Sequence, residues 1–170
     1  MVALGECLET QFWRVDNGRV RWLTVDLPQV VELRSRLLPE DSRVRAIGCS
    51  VLDPRWLAEV RDEAGVLVTA QRLLMYLAPD EARKLVALCA ERFSSGGLVF
   101  DVVPRWLVER SRRGILKTST GYEPPPCGGS TATRSSGCGR YRTSRVRKRS
   151  DCRADAVLCT VWCSRQPAAS

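Results

Sequence analysis

The sequence has 170 residues, of which 44% are hydrophobic, and this length and composition suit one globular domain with a sizeable core. It contains no histidine, which argues against a Ser-His-Asp hydrolase and against a zinc hydrolase. The net charge is +8, and residues 125–170 contribute +7 of it through nine Arg or Lys and two acids. Any electrostatic attraction to nucleic acid would therefore concern residues 125–170 alone.

Apolar segments alternate with amphipathic segments along the first hundred residues. The pattern predicts strands over 1–4, 20–25, 44–49, 65–69 and 98–103, and helices over 7–15, 28–38, 54–60, 79–93 and from 104 onwards. The predicted strands are mainly apolar, as expected for a parallel sheet that is covered on both faces. We therefore predict an α/β fold with a doubly wound, Rossmann-like sheet.

The N-terminal sequence MVALGECLE lacks the basic region of a secretory signal. No apolar stretch is long enough to cross a membrane. We therefore predict a cytoplasmic protein with reduced thiols and no membrane partner.

Two features fit a nucleoside ligand at the carboxyl ends of the strands. Gly5 follows the first strand, where a glycine lets the backbone approach a ligand closely and a helix N-terminus offers N–H groups. Asp26 ends the second strand, 21 residues later, where an acid can accept both hydroxyl protons of a ribose. The alternatives are a plain turn for Gly5 and a helix cap for Asp26. Together the two residues predict a cofactor that carries a ribose.

The loop GECLET disfavours a nicotinamide cofactor, because it lacks the third glycine of GxGxxG. The segments VALGECLETQFWR, VRWLTVDLP and VTAQRLLMYL, in this order and spacing, resemble the leucine carboxyl methyltransferase family, and most closely its bacterial polyketide O-methyltransferase branch. The likeness covers residues 2–125. It implies an S-adenosylmethionine-dependent O-methyltransferase with the class I Rossmann-like sheet, S-adenosyl-L-methionine as cofactor, and a small-molecule carboxylate or hydroxyl as acceptor.

The resemblance also implies roles for individual residues. Gly5 would lie against the methionine part of the cofactor, and Asp26 would hold the ribose. The stretch from Ser50 to Asp53 would flank the adenine. Gln71 occupies a position where many family members have a glutamate that contacts the cofactor. No catalytic residue and no metal ligand is predicted, because methyl transfer mainly requires that two reactants be positioned.

The segment after the fourth predicted strand would continue along the cofactor pocket through Met75 and Tyr76. Plain core packing is the alternative for both residues and for Leu77.

Departures from the family pattern predict reduced or absent turnover. Cys7 stands where the family has the second glycine of its loop, and a positive φ there would cost a side chain about 1–3 kcal/mol. Arg72 also stands in place of a glycine, and its side chain would either enter the pocket or turn to solvent. The family has a helical region before the first strand, which we expect to be absent here. Residues 1–125 are thus predicted to form a partial cofactor-binding domain.

The tail over residues 126–170 is rich in Arg, Cys and Ser, and its composition predicts low order, with a regular period only at AVLCTVW. Three interpretations compete. Its cysteine spacings fit a zinc module weakly, and its arginines would allow a non-enzymatic protein to bind nucleic acid. We favour a third, a frameshift product, because codons can be chosen for Gly128–Gly139 that encode WLDGDEVERLR when they are read in another frame. Finding no such frame in the gene would remove this hypothesis.

Overall fold

The computed structural model describes residues 1–61, 65–93 and 95–102, together with two strands at 142–145 and 157–164. Its strands are β1 (Val2–Leu4), β2 (Trp22–Asp26), β3 (Val44–Gly48), β4 (Val66–Ala70), β5 (Ser95–Val102), β6 (Arg142–Arg145) and β7 (Val157–Ser164). Its helices are α1 (Gln11–Val15), α2 (Pro28–Leu37), α3 (Arg55–Ala58) and α4 (Pro79–Arg92), with a 3₁₀ turn at Leu74–Tyr76. The helix predicted from residue 104 onwards lies outside the described residues.

The strands form one sheet in the order β3-β2-β1-β4-β5-β7-β6. The first five strands are parallel, and β1 lies at the centre between β2 and β4. The chain therefore winds outwards in both directions from β1, which is the doubly wound arrangement predicted from the sequence.

Two tail segments form strands, of which β7 coincides with the regular stretch AVLCTVW, whereas β6 lies where the composition predicts low order. Strand β7 pairs antiparallel with β5 over eight residues, and β6 pairs antiparallel with β7 over four. The sequence VLCTVWCS of β7 is rich in apolar and β-branched residues, which suit a strand. The short β6 has the sequence RTSR and no such signal, so only its pairing with β7 accounts for it.

The two faces of the sheet bury different cores. One face packs residues such as Val25, Val68 and Leu85 of α4 into the larger cluster. The other face packs Phe12 of α1 against Trp22, with ring centroids 5.9 Å apart. Helices therefore cover both faces at β1 and β2, where every residue is buried. Coverage is incomplete further out, because Arg45 and Ala46 of β3 and Leu67 of β4 are exposed.

Helix α1 begins at Gln11, whereas the sequence predicts a helix from residue 7. Gly5 and Cys7 both have positive φ, which a right-handed helix excludes, so residues 5–10 form a loop instead. Within the described residues no helix is both long enough and apolar enough to span a bilayer.

Candidate functional site

Four loops meet at the carboxyl edge of the parallel strands, on either side of the central strand β1. They follow β1, β2, β3 and β4, and the sheet changes winding direction between β1 and β4. In open α/β sheets this switch point is where ligands bind. Each site residue that the sequence analysis singled out lies in one of these loops or at the strand end before it.

The loop after β1 is built around Gly5. Its φ is +62°, and its N–H donates to the carbonyl of Val25 at 2.9 Å. A Cβ at this position would lie 2.9 Å from Cδ1 of Leu73 in the loop after β4. Glycine therefore avoids the strain of positive φ at this position and also avoids a shift of the Leu73 side chain.

Cys7 also lies in the left-handed region, with φ +53°. This is the conformation in which a residue with a side chain is strained. Its N–H donates to Oδ2 of Asp26 at 2.8 Å. The sequence predicts a helix N-terminus with free N–H groups here, but α1 starts four residues later and the Cys7 N–H is already bound.

Asp26 is the centre of the site. Oδ2 accepts the Cys7 N–H, and Oδ1 accepts the N–H of Leu27 at 2.8 Å. The residue is 8% exposed. Each carboxylate oxygen has about two acceptor positions, so each retains one after these backbone bonds. The carboxylate is therefore fixed in orientation and can still accept two further hydrogen bonds.

The loop after β3 carries the residues that the resemblance places near an adenine. Ser50 is exposed, and its Oγ accepts the Leu52 N–H at 3.2 Å. Asp53 is half-buried and accepts the backbone N–H of Arg55 at 3.0 Å and its Nε at 2.7 Å. These two bonds lower the pKa of the Asp53 carboxyl from its usual value, the backbone bond more than the side-chain one. Both polar side chains thus accept hydrogen bonds from the backbone of this loop, and Ser50 also faces solvent.

The loop after β4 begins with two exposed residues, Gln71 and Arg72. Arg72 has φ +51°, and its N–H donates to Oδ1 of Asp101 on β5 at 2.6 Å. Its exposure agrees with the benign alternative, a side chain turned to solvent. Tyr76 is 57% exposed, so core packing does not account for it, while Met75 is half-buried.

No protein-family model matches the chain. It is 34% identical over 115 residues to the tetracenomycin polyketide synthesis O-methyltransferase TcmP of Streptomyces glaucescens, an alignment that covers 67% of this chain and 43% of that protein. Its fold matches an O-methyltransferase family protein from Burkholderia thailandensis with a TM-score of 0.54 and 16% identity, covering 96% of this chain and 50% of the other. It matches human N-acetylserotonin methyltransferase, solved in complex with S-adenosylmethionine, with a TM-score of 0.59 and 15% identity, covering 97% and 47%.

The chain has the class I S-adenosylmethionine-dependent methyltransferase fold. It spans half or less of the length of each of these three proteins.

The methyltransferase fold brings together residues that the sequence analysis did not single out. Glu6 of the first loop and Arg34 of α2 form a buried ion pair, in which Arg34 Nη2 lies 3.3 Å from Glu6 Oε2. Asp101 fixes the backbone of the fourth loop from β5. The sequence does indicate that Arg34 faces the protein interior. It lies on the apolar stripe of α2, at helical spacing from Val30, Val31 and Leu38.

The left-handed conformation at position 72 leads to a prediction about stability. Arg72→Gly is expected to raise the free energy of unfolding of the methyltransferase fold by up to about 1 kcal/mol, because glycine adopts positive φ without steric cost. Arg36→Gly, in helix α2, is the matched control and is expected to lower it by about 1 kcal/mol. Urea unfolding of the three proteins measures both changes. A loss of stability in Arg72→Gly as large as that in Arg36→Gly would contradict the strain assigned to position 72.

Proposed function

We propose that this chain forms the S-adenosylmethionine-binding part of a small-molecule O-methyltransferase. The observation that carries the proposal is the Asp26 carboxylate, which two backbone N–H groups hold at the switch point of the sheet with two acceptor positions to spare. A ribose presents two vicinal hydroxyl donors, and this arrangement of acceptors suits them.

The other loops fit the rest of such a cofactor. Gly5 has no side chain where the first loop lies beside Leu73 of the fourth loop, so its backbone is open to the methionine part of the cofactor. Ser50 and Asp53 border the third loop, beside β2, where the adenine would lie. Gln71 is exposed at the start of the fourth loop, where its amide can donate to the cofactor or accept from it.

The class of acceptor follows from the curated relative. TcmP is a tetracenomycin polyketide synthesis O-methyltransferase, and its alignment with this chain extends over 115 residues. We propose that this chain is of the leucine carboxyl methyltransferase type, with a hydroxyl or carboxylate of a polyketide as acceptor. The VDLP strand end at Asp26 and the segment ending in Tyr76 support this assignment.

The chemistry requires positioning more than acid–base catalysis. S-adenosylmethionine supplies a methyl group on a sulfonium, which is already a good leaving group. The residues of this chain would orient the cofactor and exclude water, and orientation of two reactants can contribute about 7–11 kcal/mol. A carboxylate acceptor needs no general base, which agrees with the absence of a histidine from the sequence.

A thermal shift experiment tests the cofactor assignment. S-adenosylhomocysteine at 100 times its dissociation constant is expected to stabilise the folded chain by about 2.7 kcal/mol and to raise its melting temperature. NAD⁺ at the same concentration is the matched control, because it also carries an adenosine ribose but needs a different phosphate loop. Equal shifts with both ligands would contradict a methyltransferase site, and no shift with either would contradict a nucleoside site.

Turnover needs a separate assay. Full-length chain, S-adenosylmethionine with a labelled methyl group and a panel of aromatic polyketide carboxylates and phenols would be incubated together. Transfer of label to an acceptor would support the proposed activity. Cofactor binding without transfer to any acceptor would restrict the proposal to the binding function.

A further inference from the structure

A buried ion pair joins Glu6 of the first loop to Arg34 of α2, and none of the cofactor assignments uses it. Arg34 of α2 is 6% exposed and Glu6 is 8% exposed. Arg34 Nη2 lies 3.3 Å from Oε2 of Glu6. The same oxygen accepts Trp22 Nε1 at 3.0 Å and Thr24 Oγ at 2.8 Å. Glu6 is thus tied to β2 and to α2 at once.

The same guanidinium binds the backbone of the loop. Its Nη1 donates to the carbonyl of Cys7 and, at 3.3 Å, to the carbonyl of Glu9. All three acceptors of Arg34 therefore lie within residues 6–9. The planar fork of arginine suits several acceptors in fixed directions, whereas a lysine offers a single point charge.

The placement of Arg34 is unusual for packing alone. It is the buried residue of α2, while the neighbouring Leu33 and Leu37 are exposed. A buried ion pair must overcome a large desolvation cost and is often no more stabilising than apolar side chains of similar size. The contacts to the loop therefore explain Arg34 better than a contribution to core stability does.

The strained residue Cys7 is held from both sides. Its N–H is bound by Asp26 and its carbonyl by Arg34. A non-glycine residue at φ +53° persists only when its surroundings over-determine the conformation. These two hydrogen bonds supply that restraint. One of them is made by Asp26, which is also the proposed ribose acceptor.

We propose that Arg34, together with Glu6, is a positioning residue of the cofactor site. By fixing the carbonyl of Cys7, it keeps the N–H of the same residue on Asp26 and so keeps the carboxylate turned towards the ribose. The inference has two parts. The loop half is the claim that Arg34 holds residues 5–9 in place, and it concerns the protein alone. The ligand half is the claim that this contact raises the affinity for the cofactor, and it rests on the proposed function.

The loop half is tested without ligand. The double variant Arg34→Met/Glu6→Gln removes both charges and leaves neither one buried alone. Amide hydrogen exchange over residues 5–9 is expected to rise about tenfold, while exchange over β4 stays unchanged. The exposed thiol of Cys7, followed by peptide mass mapping, is expected to react faster with a thiol reagent. Arg36→Met, on the exposed face of α2, is the matched control and is expected to change neither rate.

A second variant covers the case in which the double variant fails to fold. Arg34→Lys keeps the charge beside Glu6 but cannot bind three acceptors in fork geometry. It is expected to fold and to show a smaller rise in exchange over residues 5–9. Unchanged exchange over these residues in the folded double variant, or in Arg34→Lys if the double variant does not fold, would overturn the loop half.

The ligand half is tested by affinity for S-adenosylhomocysteine. Loss of the positioning contact is expected to weaken binding about tenfold, as loss of supporting contacts does at other sites. Because glycine needs no help at positive φ, the loss is expected to shrink when the background is Cys7→Gly. A merely structural role of Arg34 would give equal losses in both backgrounds, and that result would overturn the ligand half. A folded wild type that binds no S-adenosylhomocysteine would overturn the proposed function and the ligand half, and would leave the exchange results to decide the loop half.

Discussion

Replacing Asp26 by alanine is expected to lower the affinity for S-adenosylhomocysteine about 100-fold. The reason is that each hydrogen bond from a ribose hydroxyl to a carboxylate contributes about 1.5–3 kcal/mol, and a tenfold change in affinity corresponds to about 1.4 kcal/mol. The same change leaves the N–H groups of Cys7 and Leu27 without their acceptor, so the first loop is also expected to loosen. Isothermal titration calorimetry measures the affinity, and urea unfolding measures the stability.

Two further variants separate recognition of the ribose from a general loss of folding. Asp26→Asn keeps one carbonyl oxygen but loses the charge, and we expect a folded protein whose affinity is reduced at least about tenfold. Asp80→Ala, an exposed acid in the first turn of α4, is the matched control and is expected to bind like the wild type. Full affinity in a folded Asp26→Ala protein would rule out Asp26 as the ribose acceptor.

The second large effect is expected at Gly5. Gly5→Ala would place a methyl group at φ +62° and 2.9 Å from Leu73 Cδ1. The left-handed conformation costs about 1–2 kcal/mol, and displacement of Leu73 from the core adds to that cost. Because the Leu73 side chain and the first loop would have to shift to admit the methyl group, we expect the affinity for S-adenosylhomocysteine to fall at least about tenfold.

Gly18→Ala is the matched control for this experiment. Gly18 has φ +78°, but a Cβ there would meet no atom within 4 Å. Gly18→Ala therefore has the conformational cost of positive φ without a contact to a neighbouring side chain. Gly18 lies in the turn before β2, away from the carboxyl edge of the sheet. We expect a loss of about 1–2 kcal/mol in the free energy of unfolding and no change in affinity. If Gly5→Ala behaved like Gly18→Ala in both measurements, the close approach of the two loops would have no part in binding.

The strands of the parallel sheet were predictable because burial on both faces leaves a direct signal in the sequence. A continuous apolar run such as VAL in β1, in which all three residues are buried, is typical of a strand that helices cover on both sides. Asp26 was predictable for a related reason, since the strand end and the proline after Leu27 fix where β2 stops and α2 begins. The fold class followed from these elements.

The first loop was harder to predict because its conformation depends on residues far away in the sequence. Residues 7–10 have a composition that suits a helix, yet the bond from Cys7 to Asp26 and the contacts of Arg34 hold them in a loop. Arg34 lies 27 residues from Cys7, and nothing local shows that its charge turns inwards. Strand β6 is a similar case, because it exists through its pairing with β7.

The central claim is that the four loops at the carboxyl edge form a site for S-adenosylmethionine. Calorimetric titration of the full chain with S-adenosylhomocysteine tests it most directly. We expect saturable binding of one ligand per chain, with a dissociation constant in the micromolar range. A folded sample that shows no binding heat and no competition with S-adenosylmethionine would mean that the chain retains the methyltransferase fold without its cofactor site.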